Sequence, residues 1–407
     1  LLTSFLAGSY PALYLSSFRP IRVLQGRLKA GATATRFRRI LVIVQFAIAI
    51  GLLVSTFVVN HQLRYMMNMG MGYNKENLVW FHLRGGVGKN YDLFKQQLLE
   101  GTGIASVSAI SNSLTYAAPS IAINQWDGNA GERTMRMHYH AVDDDFIETL
   151  GIRMVDGRSF TEDFGDDSVG IFLINETAAR RMQLDKPAGA QMCLTETLRG
   201  TIVGVFEDFH YNTARAKINP MTLVLERSEL RHAYVRFLPG HLEEGLAYAR
   251  KVWGNLEKDY PFEYEFTDET LQSLYAPEKQ MSVLFRFFTG FAILISCLGL
   301  FGLASFMTEQ RQKEIGIRKV MGGRVDQLVL LLTREFTRWV ILAGVVGLPL
   351  SYFAMQRWLQ SFYYRISPGV NILFLSFLLA LAVAVLTVSI QTYRASIRNP
   401  ADTLRDE

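Results

Sequence analysis

Cysteine is scarce, with two residues, Cys193 and Cys297, in a chain of 407. Cys297 lies in a charge-free apolar run and Cys193 in a polar stretch far from it. The two are not expected to pair, so the segment around Cys193 must fold without an internal disulfide. Nucleotide chemistry is missing as well. Gly85–Asn90 reads GGVGKN, but phosphate-loop spacing requires glycine where Leu83 stands. Asn90 also replaces the Ser or Thr that would hold Mg²⁺, so the stretch reads as a turn. No zinc-protease, nucleophile-elbow or kinase signature occurs. The chain is therefore expected to be non-catalytic and to need no cofactor, and no nucleic-acid partner is expected.

Apolar residues are abundant, at 49% of the chain, and unevenly spread. Ile40–Val59 reads ILVIVQFAIAIGLLVSTFVV without a charge. Helices of about 20 residues, at ~1.5 Å per residue, cross a hydrocarbon core ~30 Å thick. Phe287–Met307 is a second such run, Trp339–Met355 a shorter third and Asn371–Ile390 a fourth. Buried core helices of a soluble protein are the alternative, but several charge-free runs of this length rarely coincide in a soluble chain. The fold expected is an α-helical membrane protein with one transmembrane helix before, and three after, a large extracytoplasmic domain.

Basic residues orient these spans. Arg19, Arg22, Arg27, Lys29, Arg36, Arg38 and Arg39 precede the first, Arg311, Lys313, Arg318, Lys319 and Arg324 lie between the second and third, and Arg394, Arg398 and Arg405 follow the fourth. The positive-inside rule puts all three clusters in the cytoplasm and the segment from about Asn60 to Gln280 outside, with membrane lipids around the spans.

That outer segment reads as α+β with two subdomains, because strand and helix signals interleave. Alternation marks Thr134–Val142 as a strand. Ile171–Asn175, Gly200–Phe206, Met221–Glu226, Ala233–Leu238 and Phe262–Phe266 are read as further strands. Tyr91–Glu100, Glu176–Met182 and His241–Lys258 read as helices, the second capped by Asn175. Asn175-Glu176-Thr177 also matches a glycosylation sequon, which the cap explains better. His138 and His140 share one strand face ahead of Asp143, Asp144 and Asp145. This arrangement fits a solvated face and acidic turn better than a metal site, since no further ligand has motif spacing. Two spans carry small residues at every fourth position, Ala47-Gly51-Ser55 and Ala343-Gly347-Ser351. Such ridges let membrane helices pack closely. Arg286 stands at the outer edge of the second span, where a long basic side chain snorkels.

Between the second and third spans lies EQRQKEIGIRKVMGG, Glu309–Gly323. As a helix it puts Ile317, Val320 and Met321 on one stripe and Glu314, Arg311, Arg318 and Lys319 on the other side, with Ile315 among the charges. Glu314 and Arg318 are spaced to pair, and Gly322 and Gly323 end the helix. A purely lipid-bound helix would be more uniformly basic, so the mixed face suits a protein socket.

The segment Glu314, Ile315, Gly316, Ile317, Arg318, Lys319, Val320, Met321, Gly322, Gly323 resembles the cytoplasmic loop of the FtsX-like permeases of ABC transporters, which include the MacB type. Asp143–Phe160, Leu173–Met182 and Thr201–His210 look like the MacB-like periplasmic core domain, and Ile397–Glu407 looks like the family's closing segment. The resemblance runs from Arg36 to Glu407. It implies four regions: residues 1–35 as the end of a preceding module and linker, 36–60 as the first transmembrane helix, 61–280 as the periplasmic core domain, and 281–407 as the permease domain, with 309–323 as a coupling helix. It further implies a bacterial inner-membrane permease subunit, docked by that helix on a separate ABC ATPase subunit and transmitting ATP-driven motion to the outer domain. A periplasmic partner is a further expectation. The competing class is a membrane regulator of a cell-envelope hydrolase that shares the same ATPase; a sensor receptor is weaker, because little chain follows the last span to carry an output. Ser16, Pro20 and Leu24 match the spacing of Ser396, Pro400 and Leu404. That match leads one to expect a duplicated permease, with the second permease module in the same chain, or else a homodimer.

Overall fold

The computed structural model describes residues 32–114, 118–160, 170–210, 215–310 and 325–397. It divides into two compact units, one holding residues up to 57, 285–354 and 368 onward, the other 58–284 and 355–367. Among the described residues the first helix is α1 (Ala32–Asn68). The α+β elements follow: β1 (Leu78–His82), α2 (Gly85–Lys89), α3 (Tyr91–Leu99), β2 (Ile104–Ile110), β3 (Ser120–Trp126), β4 (Asn129–Val142), α4 (Phe146–Leu150) and β5 (Met154–Gly157). Next come β6 (Ile171–Asn175), α5 (Glu176–Met182), β7 (Gln191–Cys193), β8 (Arg199–Phe206), β9 (Met221–Leu225), β10 (His232–Phe237), α6 (Leu242–Leu256), β11 (Glu265–Phe266) and α7 (Thr267–Leu274). Three long helices close the chain: α8 (Ala276–Gln310), α9 (Val325–Leu359) and α10 (Val370–Ile397).

Four of these helices are long and apolar enough to cross a membrane, over Arg36–Asn68, Ala276–Thr308, Thr333–Leu359 and Val370–Tyr393. Each extends past the charge-free run that signals it. In their unit they enclose one apolar core, in which Phe46, Ile50, Leu300, Leu303, Phe336, Val340, Ala380 and Ala384 are buried. The outward faces are apolar too, with Phe287, Phe291, Leu298, Val345, Phe353 and Phe374 exposed. Helices apolar all round belong in lipid rather than water.

The α+β unit is organised by one 11-stranded sheet. At one end β11, β1, β10 and β2 pair antiparallel. Beneath them α3 and α6 supply a core of Phe81, Phe94, Val107, Val235 and Trp253, whose Phe81–Phe94 and Phe81–Trp253 rings meet edge-on at 5.8 Å. Beyond β2 the order runs β4-β3-β7-β8-β6-β9, and β9 pairs back onto β4 in parallel, His138 opposite Met221 through Val142 opposite Leu225. Those six strands therefore close into a ring. Inside it pack Met137, Phe172, Ile174, Met192, Ile202 and Val224. A third core, with Trp80, Ile110, Val142, Phe146, Phe206, Leu223 and Tyr234, spans both halves. The two expected subdomains are thus two ends of a continuous sheet, tied by the Ile110–Val142 pairing between β2 and β4.

Several local expectations hold in detail. Asn175 caps α5, its Oδ1 accepting from Ala178 N at 2.9 Å and also from Met221 N at 2.9 Å. It is 2% exposed, which leaves no room for a glycan. Cys193 and Cys297 are free thiols. Others need correction. The GGVGKN stretch, read as a turn, is a short helix over Gly85–Lys89. The Glu257 carboxylate accepts from Gly86 N at 2.6 Å, and a Cβ on Gly85, whose φ is +54°, would lie 1.8 Å from Glu257 Oε2. The protein's own anion fills the glycine-rich turn, and these backbone N–H groups hold that carboxyl below its ordinary range. The strand expected over Phe262–Phe266 is reduced to Glu265–Phe266, because β1 offers only Val79 and Trp80 as partners.

Candidate functional site

The two small-residue ridges meet. A Cβ on Gly347 would stand 2.9 Å from Ala47 O and 3.2 Å from its Cα, and one on Gly51 would touch Ser351 Cβ at 3.9 Å. Helices α1 and α9 thus approach at backbone distance, where any larger side chain intrudes. Both serines satisfy their hydroxyls within their own helix, Ser55 Oγ donating to Gly51 O at 2.8 Å and Ser351 Oγ to Leu348 O at 2.9 Å. Ala343 is buried in the same core. Thr56 and Thr289 bridge α1 and α8 through hydroxyls 2.8 Å apart. Towards the start of α1, Arg39 reaches Glu335 at 3.4 Å and lies over the Trp339 ring at 5.2 Å.

A second site lies within the α+β unit and has no counterpart in the sequence reading. Residues 355–367 group with the α+β unit. Gln62, on α1, is 0% exposed. Its Nε2 donates to Tyr364 O at 2.9 Å and its Oε1 accepts from Ile366 N at 2.9 Å. Leu63, Met66, Tyr275 and Phe362 form a buried cluster beside it. Arg215 lies over the Phe362 ring at 4.8 Å and binds Glu278 Oε1 through Nη2 and Nε, at 2.7 and 3.0 Å. Lys217 sits over Tyr363 at 5.6 Å, and His210 meets Tyr364 edge-on at 4.8 Å. The available signal was a lone Gln just beyond an apolar run and a dense aromatic stretch, SFYYR, between two others.

The acidic run after β4 is not a solvated turn. Asp143 is buried and accepts from Tyr91 Oη at 2.6 Å, Lys95 Nζ at 2.8 Å and the Ser108 hydroxyl. Lys95, with 12% of its side chain exposed, also reaches Asp145 at 2.6 Å, and Arg227 binds Asp144 at 2.7 Å. Burial pushes the Asp143 carboxyl up, and Lys95 and the hydroxyl donors offset only part of that. Burial, then the neighbouring Asp143, drives the Tyr91 phenol up, so it stays the donor. The cluster fastens α3 to β2 and the end of β4. Its groups are mutually satisfied, so it reads as a structural staple.

Among the described residues no group of three or more His, Cys, Asp or Glu side chains is placed to hold an ion. His138 is partly buried, with Nδ1 3.0 Å from Ala118 O. His140 is fully buried and neither ring nitrogen has a partner. Burial, reinforced by His138 and His232, pulls its ring down to about 3. The basic segment Glu314–Gly323 lies outside the described residues, as do Ser16, Pro20, Leu24, Pro400 and Leu404.

The FtsX-like permease C-terminal family model matches residues 286–400. The macrolide export ATP-binding/permease protein MacB of Chromobacterium violaceum is 23% identical over 283 residues, covering 65% of this chain. The chain spans 42% of that relative's length. Among solved structures, the periplasmic region of MacB from Actinobacillus actinomycetemcomitans has a TM-score of 0.36 at 14% identity, over 52% of this chain and 98% of its own. A permease-protein domain from Porphyromonas gingivalis has a TM-score of 0.33 at 19% identity, over 45% of this chain and 83% of its own. Residues 286–400, which include the last long apolar helices, thus match the FtsX-like permease C-terminal model, the family that the chain's own motifs resemble.

Proposed function

We propose that the chain is the non-catalytic membrane subunit of an ABC transporter, coupling ATP hydrolysis by a separate ATPase subunit to conformational work or export beyond the membrane. The observation that carries this reading is the family match over 286–400, on helices long and apolar enough to span. The distribution of basic residues supports a bacterial inner-membrane topology with 309–323 cytoplasmic and about 60–280 outside. In this reading Glu314–Gly323 is the coupling helix. Arg318, Lys319 and Ile315 seat in the ATPase, and a second socket is filled by another permease module or a second copy. The backbone-distance approach of α1 and α9 supports motion of the bundle as a body, since packed helices shift rather than stretch.

The test is charge reversal. Arg318→Glu with Lys319→Glu should abolish co-purification with the ATPase while membrane insertion is kept. Removing a charge-assisted hydrogen bond costs ~1.5–3 kcal/mol, so removing two shifts affinity by orders of magnitude. Unchanged binding and unchanged coupled hydrolysis in the double variant would contradict the docking assignment.

A further inference from the structure

We infer that residues 355–367 travel with the α+β unit as one body, and that Gln62 is the residue that positions them. The inference rests on the permease reading only for what drives the motion.

A segment joining two spanning helices needs no partner beyond water. Here its backbone is bonded twice to one buried side chain, Tyr364 O accepting from Gln62 Nε2 and Ile366 N donating to Gln62 Oε1. A side-chain amide offers a donor and an acceptor on two adjacent atoms without charge, matching a carbonyl and an N–H two residues apart. A carboxylate there would lack the donor, and an apolar residue would leave both backbone groups unpaired. Three consecutive residues of the segment are gripped from the α+β unit as well: Phe362 by Arg215, Tyr363 by Lys217 and Tyr364 by His210. Arg215 is itself held by Glu278, whose side chain is 6% exposed, on α8. The segment is therefore a strap fastened to the last turns of α1 through Gln62 and, by way of Arg215, to the first turn of α8.

Helix α9 runs unbroken from Val325 to Leu359, so the strap continues directly from a long apolar helix. Pro349 lies inside that helix, shortly before the strap begins. Its missing N–H removes one helical hydrogen bond and makes this the position where α9 bends most readily. The strap is thus bound within the α+β unit, and Pro349 marks the point before it at which α9 can bend.

Spin labels at Glu269→Cys and Gln360→Cys, both exposed positions in the same unit, read the strap directly. The full chain is used in lipid nanodiscs, with Cys193 and Cys297 replaced by Ser and no ATPase present. Native Gln62 should give one narrow distance distribution. Gln62→Met removes both bonds at similar volume and should raise the detached population roughly tenfold to a hundredfold. Ile366→Pro deletes one of the same bonds from the strap side without touching α1 and should broaden the distribution too. Narrow distributions in both variants would overturn the latch. With the ATPase bound, the native label pair should keep one narrow distance in the nucleotide-free and ATP-trapped states, since both labels ride on one body; a nucleotide-dependent shift within the pair would overturn the inference. A native chain that shows the narrow distribution for this pair, but no nucleotide-dependent change between Glu132→Cys in the α+β unit and Val370→Cys in the helical unit, overturns the permease reading and leaves the latch standing.

Discussion

Acidification should weaken the α+β unit through His140. Its ring is fully buried on β4 between His138 and His232, with no hydrogen-bond partner at either nitrogen. The charged form has no solvation there, and the ring is pulled from 6.5 to about 3. The sign follows from linkage. A depressed folded value means that the unfolded chain binds more protons, so stability is complete above 6.5 and declines as pH falls toward 3. At ~1.36 kcal/mol per unit, the decline reaches about 2 kcal/mol at pH 5 and about 5 kcal/mol once both values are passed. His232, pulled to about 4 by burial and His82, adds a smaller contribution because it is only partly enclosed. The assay is denaturant unfolding of the detergent-solubilised chain between pH 7.5 and 5, followed by the fluorescence of Trp80, Trp126 and Trp253. His140→Leu should match the native chain at pH 7.5 or exceed it, and lose about 2 kcal/mol less on going to pH 5. Equal pH slopes for native and variant chains would refute the reasoning.

Lys95→Met strands the buried Asp143 carboxylate and should cost about 3–5 kcal/mol at pH 7. The Asp143 carboxyl is already raised by burial, so the deficit should be smallest near pH 4 and grow as pH rises, as unfolding curves across that range will show. Gly347→Val forces a side chain into the Ala47 backbone and should destabilise the α1–α9 packing by about 1–3 kcal/mol, visible as earlier thermal unfolding in detergent. Asn175→Ala removes the cap of α5 and the acceptor for Met221 N together, a loss of about 2–3 kcal/mol measurable by the same unfolding assay.

What the sequence discloses follows from how local each signal is. The spans are written as charge-free runs, and β4, β6 and β8 as short apolar or alternating stretches. The Asn175 cap is visible because donor and acceptor lie three residues apart. Strands β1 and β2 escape notice because LVWFH and IASVSAI are buried on both faces or irregularly, without clean alternation. Partners of β1 lie on β10 and β11, far along the chain. The turn at Gly85 is decided by Glu257, and no local rule connects them. The small-residue ridges are legible on each helix separately, but their meeting is a tertiary fact. Gln62 is the extreme case, since its partners Tyr364 and Ile366 lie 302 and 304 residues away.

The central claim is that nucleotide turnover by a partner moves this chain's α+β unit relative to its spanning helices. It is tested most directly by the distance between spin labels at Glu132→Cys, in the α+β unit, and Val370→Cys, in the helical unit, with the ATPase bound in nanodiscs. The account predicts distinct distance distributions in the nucleotide-free and ATP-trapped states. One unchanging distribution under active hydrolysis would contradict it.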